Sequence, residues 1–245
     1  TLGETVLVTG LGLIGLMAVQ LLKANGCHVI GIDFNSSRCE LAETFGATCI
    51  DLSKMSSPLP RVDELTEGRG VDAVLLTAST KSNDPVSQAA QMCRKRGRVV
   101  LVGVTGLELS RADFYEKEIS FQVSCSYGPG RYDPQYEDEG QDYPLGFVRW
   151  TTARNFDAVL QATSAQSIDT ASLISHRFEL NEISAAYDVV SSGEPSIGII
   201  LNYSDKPEHG LSNTSIRVNQ ESKTSGNFVS FIGAGNYATR TLAPA

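Results

Sequence analysis

The sequence lacks the features that mark membrane proteins and nucleic-acid-binding proteins. No apolar run approaches the ~18 residues that a membrane-spanning helix needs, and no basic-then-apolar secretory signal stands at the start. Lys and Arg number 20 against 28 Asp and Glu, which gives a net charge of -8 and no visible basic face. We therefore expect a cytoplasmic protein that binds neither nucleic acid nor membrane.

The sequence also has too few clustered cysteines and histidines for a metal site or a disulfide framework. It contains three histidines and five cysteines, which are widely spaced: Cys27, Cys39, Cys49, Cys93 and Cys125. No Cys-x-x-Cys pair or Cys/His cluster occurs, and the cysteine number is odd. We expect reduced, mostly buried thiols and no bound metal.

What is present is an alternation of short apolar runs with helical patterns. Apolar, strand-like runs occupy residues 5–9, 28–33, 48–50, 71–76 and 98–104. Helical patterns occupy residues 13–25, 36–46 and 85–93, and Ser36 or Ser37 is the expected cap of the second helix. Strands that alternate with helices predict an α/β protein with a Rossmann-type, doubly wound parallel sheet.

The composition of the sequence changes after these alternating strands and helices. Residues 126–148 are rich in glycine, proline, tyrosine and acids, which predicts a long ordered loop. A helix at 151–163 follows, and then a strand from about 176, a helix at 181–191 and a strand at 197–203. Few apolar residues occur in 205–227, which predicts a linker. We divide the chain into a Rossmann domain with its C-terminal return (1–203), a linker (204–227) and the truncated start of a second Rossmann unit (228–245).

One motif carries most of the chemistry. The segment Gly10-Leu11-Gly12-Leu13-Ile14-Gly15 directly follows a strand and opens a helix, which is the context that makes G-x-G-x-x-G informative. Gly10 permits the tight turn, Gly12 lets the backbone approach a pyrophosphate, and Gly15 allows close packing of helix and strand. The helix N-terminus, with Leu13 and Ile14, then favours the anion.

The cofactor preference depends on the acid that ends the second strand. Asp33 lies eighteen residues after Gly15, where a carboxylate accepts hydrogen bonds from the adenosine ribose. Its charge would repel a 2′-phosphate, so NAD is favoured over NADP, although nearby Arg38 could accommodate NADP. Phe34 is the neighbouring cofactor-contact candidate.

Other motifs are weaker. Gly233-Ala-Gly235 with Ala238 is a second G-x-G-x-x-A pattern, but too little chain follows to complete a site. His28 and His176 are isolated, and no Ser/His/Asp triad pattern is present. The acids between 133 and 142 could serve acid–base chemistry, although a solvated loop is the simpler interpretation. No catalytic residue is assigned.

Several segments together resemble the cofactor-binding half of medium-chain (zinc-type) alcohol dehydrogenases and quinone reductases: residues 3–15, 32–33, 41–47, 68–74, 97–103 and 176–180. Residues 126–133, 142–144 and 148–151 are similar to bacterial two-domain oxidoreductases that continue into a glucose–fructose oxidoreductase or inositol dehydrogenase-like half. Residues 228–238 resemble the start of that half. This resemblance implies a sugar or sugar-nucleotide substrate.

The resemblance also implies site residues and partners. Beside the glycine-rich turn and Asp33, it places Thr77-Ala78-Ser79 and Val102-Gly103-Val104 near the nicotinamide; both also follow strand ends, where ligands bind. Arg131, Tyr132 and Asp133 are substrate-contact candidates if the 126–148 loop folds back over the cleft. We expect the family's N-terminal domain, with its zinc ligands, to be missing before Thr1, so that no zinc ligand is carried over from the resemblance. A homodimer through edge segments 106–109 and 119–123 is expected.

The sequence therefore predicts the NAD(H)-binding module of an oxidoreductase, a fragment that binds cofactor but turns over little by itself. A small-molecule substrate and further N- and C-terminal domains would belong to the full-length protein. Two alternatives stay open. The domain could sense NADH and regulate a partner, or it could be a structural dimerisation module without cofactor.

Overall fold

The computed structural model describes residues 1–203. The predicted linker (204–227) and the predicted second unit (228–245), with its Gly233–Ala238 motif, lie outside the described residues. Within residues 1–203, no helix is both long enough and apolar enough to cross a membrane.

A six-stranded parallel sheet forms the centre of the fold. Its strands are β1 (Thr5–Thr9), β2 (His28–Asp33), β3 (Thr48–Asp51), β4 (Val71–Leu76), β5 (Cys93–Leu101) and β6 (Ser120–Val123). They lie in the order β3-β2-β1-β4-β5-β6, so β1 pairs with β2 on one side and β4 on the other. The predicted doubly wound Rossmann sheet is confirmed, and the strand order reverses at β1, where ligands bind in such sheets.

The helices connect these strands and continue beyond them. They are α1 (Leu13–Ala24), α2 (Ser36–Thr44), α3 (Leu59–Leu65), α4 (Asp84–Met92), α5 (Arg111–Tyr115), α6 (Pro134–Glu137), α7 (Thr152–Ser164) and α8 (Ile183–Ser192). The positions of α1, α2, α4, α7 and α8 agree with the sequence patterns. Helix α3 was not predicted, because its seven residues include a proline and show little helical periodicity.

The core is split between the two faces of the sheet. On β1, Leu7 packs into one buried cluster with Val74 and Leu76, whereas Val6 and Val8 pack into the cluster on the opposite face. Successive side chains of a strand point to opposite faces, and here both faces are covered. That arrangement explains why the strands appear in the sequence as continuous apolar runs.

The start of α2 differs from the prediction. Neither Ser36 nor Ser37 caps the helix; the cap is Asn35, whose side-chain oxygen accepts the backbone N–H groups of Ser37 at 3.0 Å and Arg38 at 3.2 Å. Asn35 has extended backbone geometry and Ser36 is already helical. A cap residue must stand just outside the helix, so the prediction was wrong by one residue.

Strand β5 is shifted toward the N-terminus relative to the predicted 98–104. It begins at Cys93, opposite Val71, and a bulge separates this pair from the Ala73–Arg98 pair. It ends at Leu101 because the N–H groups of Val102 and Gly103 both donate to the Leu76 carbonyl. Residues 102–104 therefore form a loop at the sheet edge rather than strand.

The segments after β5 also refine the prediction. Residues 106–109 are not a strand, so of the two segments predicted for dimerisation only 119–123, through β6, lies at a sheet edge. The 126–148 segment is a loop that contains the short α6. Strands β7 (Ile174–Glu179) and β8 (Gly198–Asn202) pair with each other in a separate two-stranded parallel sheet.

A buried amide joins this later region to the Rossmann unit. The Gln20 side chain, only 5% exposed on α1, accepts the backbone N–H of Asp169 and donates to the Asp169 carbonyl. Ile168 and Leu173 are buried on either side of this contact in the chain. Residues 168–173 are therefore an integral part of the described unit.

Candidate functional site

The glycine-rich turn lies between β1 and α1, and sterics dictate its sequence. Gly10 has φ +92°, and a Cβ there would lie 2.7 Å from the backbone nitrogen of Ala78. A Cβ on Gly15 would lie 1.9 Å from the Gly10 carbonyl oxygen. A Cβ on Gly12, by contrast, would meet no atom within 4 Å. Gly10 and Gly15 are therefore needed by the fold, whereas the space in front of Gly12 is open to a ligand.

The first turn of α1 faces this open space without a side-chain cap. Gly12 is the N-cap residue, and it has no side chain to accept the N–H groups of the turn. The helix contains no acidic residue in its first turn. Free N–H groups and the helix dipole make this end of α1 suitable for an anion.

Asp33 is tied directly to the glycine-rich turn. One carboxylate oxygen accepts the backbone N–H of Leu11 at 2.6 Å, and the other accepts that of Asn35 at 2.8 Å. These two bonds fix the orientation of the carboxylate at the end of β2. A carboxylate has about four lone-pair sites, so acceptor capacity for ligand hydroxyls is left over.

Two further loops close the site from the β4 side. The Thr77 hydroxyl donates to the carbonyls of Gly10 at 2.5 Å and Thr9 at 3.0 Å, which joins the end of β4 to the turn. Ser79 and Val104 form a parallel bridge. A Cβ on Gly103 would lie 2.1 Å from the Ala78 carbonyl oxygen, so the two loops after β4 and β5 are packed backbone to backbone.

These elements enclose a cleft of about 570 Å³ at the C-terminal edge of the sheet. The size falls in the usual range for ligand pockets. Eight predicted residues line the cleft: Gly10, Gly12, Asp33, Phe34, Arg38, Thr77, Ala78 and Ser79. The structure thus brings together residues predicted for the ribose and residues predicted to lie nearer the nicotinamide.

The other predicted cofactor residues lie outside the cleft lining: Leu13, Ile14, Gly15, Val102, Gly103 and Val104. Four of them expose apolar side chains, with Ile14 60% and Val104 69% exposed and Leu13 and Val102 near 40%. They belong to the start of α1 and the end of β5, on the same edge of the sheet. An apolar surface there is suited to contact with a ligand ring or another protein surface.

The cleft also contains residues that sequence reasoning missed. They are Thr9, Ile32, Leu52, Pro58, Thr80, Ser82, Asp84, Pro85, Gln88 and Met92. Helical spacing on α4 could have grouped Asp84, Gln88 and Met92 on one face. Nothing in the sequence, however, showed that this face lines the same cleft as Asp33.

The predicted substrate-contact residues do not line this cleft. The Arg131 guanidinium pairs with Glu137, which raises the pKa of Arg131, and lies 4.4 Å from the centre of the Tyr132 ring. The Asp133 carboxylate accepts the Tyr143 hydroxyl, and this bond lowers the pKa of Asp133. All three residues hold the 126–148 loop together in this structure.

The thiols and potential metal ligands do not form a second centre in residues 1–203. Burial raises the pKa of the Cys39 and Cys49 thiols, and it raises that of Cys93 to about 11, so these thiols are protonated at neutral pH. No group of three or more His, Cys, Asp or Glu side chains in that range could hold a metal ion.

Known proteins with similar sequences are longer than this chain, which matches about half of their length or less. L-Threonine 3-dehydrogenase of Bacillus subtilis is 31% identical over 193 residues, which are 78% of this chain and 49% of that protein. The NAD-dependent alcohol dehydrogenase of Saccharolobus solfataricus is 38% identical over 109 residues, 43% of this chain and 30% of that protein. The chain thus spans about half or less of the length of these relatives.

The fold comparison and the family comparison agree. Alcohol dehydrogenase from Thermus sp. ATN1 superposes with a TM-score of 0.65 at 24% identity, over 83% of this chain and 52% of that one. The family model described as zinc-binding dehydrogenase matches residues 14–139, which is just over half of the chain and includes most of the residues that line the cleft. This chain belongs to the zinc-binding dehydrogenase family.

Proposed function

We propose that this chain is the NAD(H)-binding module of a dehydrogenase. The observation that carries the proposal is the bond from Leu11 to Asp33, which places a fixed carboxylate beside the open face of Gly12 in a cleft of dinucleotide-binding topology. One relative is named an NAD-dependent alcohol dehydrogenase, which supports the choice of nicotinamide cofactor.

Different residues of the cleft would bind different parts of the dinucleotide. The pyrophosphate would lie against Gly12 and the uncapped N-terminus of α1. The ribose hydroxyls would donate to the Asp33 carboxylate. Any side chain on Gly12 would occupy the open space in front of the glycine-rich turn, where the pyrophosphate would lie. These contacts bind and orient the cofactor, and the cofactor supplies the hydride when it is bound.

The same cleft favours NAD(H) over NADP(H). The Asp33 charge stands where a 2′-phosphate would lie, and like charges at short range repel. Arg38 also lines the cleft, and no acidic side chain within residues 1–203 pairs with it at salt-bridge distance. Asp33 is therefore the main group that excludes NADP(H), and Arg38 is the group that would accept a phosphate once Asp33 is neutralised.

Zinc has no place in this proposal. The family name refers to zinc, but the described part of the chain contains no set of side chains that could hold it. The role of residues 1–203 is cofactor binding, and no step is assigned to a metal.

The substrate belongs to the full-length protein. Relatives include a sorbitol dehydrogenase at 27% identity that this chain spans over 52% of its length, which supports a sugar-type alcohol or carbonyl as the substrate class. Because the chain matches only about half of such relatives, we assign the substrate pocket to the parts outside this match. The resemblance of the sequence of residues 228–238 to sugar oxidoreductases supports the same substrate class.

A homodimer through β6 is the proposed assembly. This strand pairs with β5 on one side only and forms an edge of the six-stranded sheet. Val123 at its end is 54% exposed. An exposed edge strand offers unpaired backbone groups to a second copy.

Calorimetric titration of the chain with NADH and with NADPH tests the proposed function. We expect NADH to bind more tightly than NADPH, and Asp33→Ala to weaken NADH binding about 10- to 100-fold, as for loss of a charged hydrogen-bond acceptor. Asp188→Ala removes an exposed acid on α8 and is the matched control. Absence of binding by both nucleotides would overturn the proposal.

A further inference from the structure

One face of α4 forms a wall of the cleft. Asp84 and Pro85 stand in the first turn, Gln88 one turn later and Met92 at the end, and all four line the cleft. Residues spaced by three or four positions lie along one side of a helix. The wall therefore changes from an exposed carboxylate at the rim to an amide and then to a buried thioether at the base.

The cleft also has an apolar wall, beside the charged Asp33 and Arg38. Ile32 at the end of β2 is 1% exposed, and Leu52 and Pro58 complete this wall. Together with Met92, these side chains form a slot with apolar walls. The two faces of a flat ring can pack against such apolar walls, and the polar edge of the ring then stays available for hydrogen bonds.

Gln88 brings into the slot an amide, which places a hydrogen-bond donor and an acceptor side by side. Its amide is half-buried, and it makes no side-chain hydrogen bond within the part of the chain that the structure describes. The nearby Ser82 hydroxyl accepts the Asp84 N–H at 3.0 Å, and the Thr80 hydroxyl accepts the Ser82 N–H at 3.2 Å. Neither hydroxyl offers the separate N–H and C=O groups of an amide.

Gln91, one turn further along α4, shows the contrast. Its amide donates to the Ser87 hydroxyl at 3.3 Å, and the residue does not line the cleft. The two glutamines share a helix and a residue type, but only Gln88 turns toward the slot. Gln91 therefore provides a matched control.

We propose that the Gln88 amide recognises the adenine base of the dinucleotide, so that this cleft selects adenine over other purines. Adenine presents an amino donor at N6 beside an acceptor at N7, and a glutamine amide matches both with its carbonyl oxygen and its NH₂ group. This inference rests on the proposed function, since the base arrives as part of NAD(H). Gln88 then acts as a specificity-determining residue, separate from the pyrophosphate and ribose contacts.

The test compares NADH with reduced nicotinamide hypoxanthine dinucleotide, whose base carries a carbonyl oxygen in place of the N6 amino group. Both are titrated calorimetrically into the full chain. We expect the unsubstituted chain to bind NADH about 5- to 100-fold more tightly than the analogue, the range for discrimination by a two-bond amide contact. Gln88→Met keeps the length of the side chain and should bring the two affinities within about twofold of each other.

The control variant Gln91→Met should keep the full preference for NADH. Equal affinities in the unsubstituted chain, or a full preference retained in Gln88→Met, would overturn the inference and leave the proposed function standing. Failure of both dinucleotides to bind the unsubstituted chain would overturn the proposed function and this inference together. A thermal melt of each variant shows whether it folds.

Discussion

The Asp33 carboxylate accepts the backbone N–H of Leu11 at 2.6 Å. This bond joins the end of β2 to the middle of the glycine-rich turn, 22 residues apart in the chain. Asp33 therefore has two functions: it shapes the turn, and it presents its remaining acceptor sites to the cleft. A site fixed before the ligand arrives loses less entropy on binding.

The charge of Asp33 should matter more for cofactor choice than for the fold. Asp33→Asn keeps a side-chain oxygen that can accept the Leu11 N–H but removes the negative charge. The second oxygen becomes an NH₂ group, which cannot accept the Asn35 N–H. We therefore expect weaker NADH binding, stronger NADPH binding and a melting temperature lowered by the loss of one partly buried hydrogen bond. Titration of both nucleotides measures the ratio of affinities, and an unaltered ratio would contradict the role of Asp33. Adding Arg38→Ala should then remove the gain in NADPH binding.

Alanine substitutions at two glycines of the turn should have different effects, one on NADH affinity and the other on stability. Gly12→Ala adds a methyl group where no protein atom lies within 4 Å, so the melting temperature should be unchanged while NADH affinity falls at least about tenfold. Gly15→Ala places its methyl group 1.9 Å from the Gly10 carbonyl oxygen, and overpacking of this kind costs about 1–3 kcal/mol or more. Thermal melts and titrations separate the two effects, and a destabilised Gly12→Ala would refute this assignment.

The Glu4–Arg98 pair should contribute to stability at neutral pH. Both guanidinium NH groups of Arg98 donate to the Glu4 carboxylate, at 2.9 and 2.6 Å, and these bonds hold the pKa of Glu4 well below its usual range. Arg98 is 45% exposed, so we expect a contribution of about 1 kcal/mol or less.

The pH dependence of this contribution has a defined sign. The folded-state pKa of Glu4 is depressed, so the stabilisation is complete above the unfolded value of about 4.3 and is lost as the pH falls further. Glu4→Gln should therefore be less stable than the unsubstituted chain at pH 7, and the difference should shrink toward pH 3. Urea unfolding at several pH values measures it, and a difference that grows on acidification would contradict the argument.

Tyr136 should stabilise the start of α7 without affecting the cofactor. Its hydroxyl accepts the backbone N–H of Ala153 at 2.9 Å, in the first turn of a helix whose own N-cap, Thr151, makes no side-chain cap bond. Tyr136→Phe removes one cap and should cost about 0.5–2 kcal/mol. Equilibrium unfolding measures this loss, and NADH titration should show unchanged affinity because Tyr136 does not line the cleft.

Several parts of the site were predictable because their causes are local. The alternation of strands and helices identified the Rossmann sheet, and the steric demands on Gly10 and Gly15 follow from a turn of six residues. The acid at the end of β2 was found from its spacing alone. Local reasoning also misplaced the cap of α2: Asn35, rather than Ser36 or Ser37, caps the helix, because three adjacent residues were all good caps.

The sequence by itself determined the turn, the strands and the acid, since each depends on neighbours within one βαβ unit. Only the tertiary structure decided which face of α4 lines the cleft that also contains Asp33, because strand order and helix rotation depend on packing across the whole sheet. That packing brought Gln88 into the cleft and left Arg131 and Asp133 bonded within their own loop. Contacts between residues far apart in the chain follow from burial of both sheet faces, which no short pattern encodes.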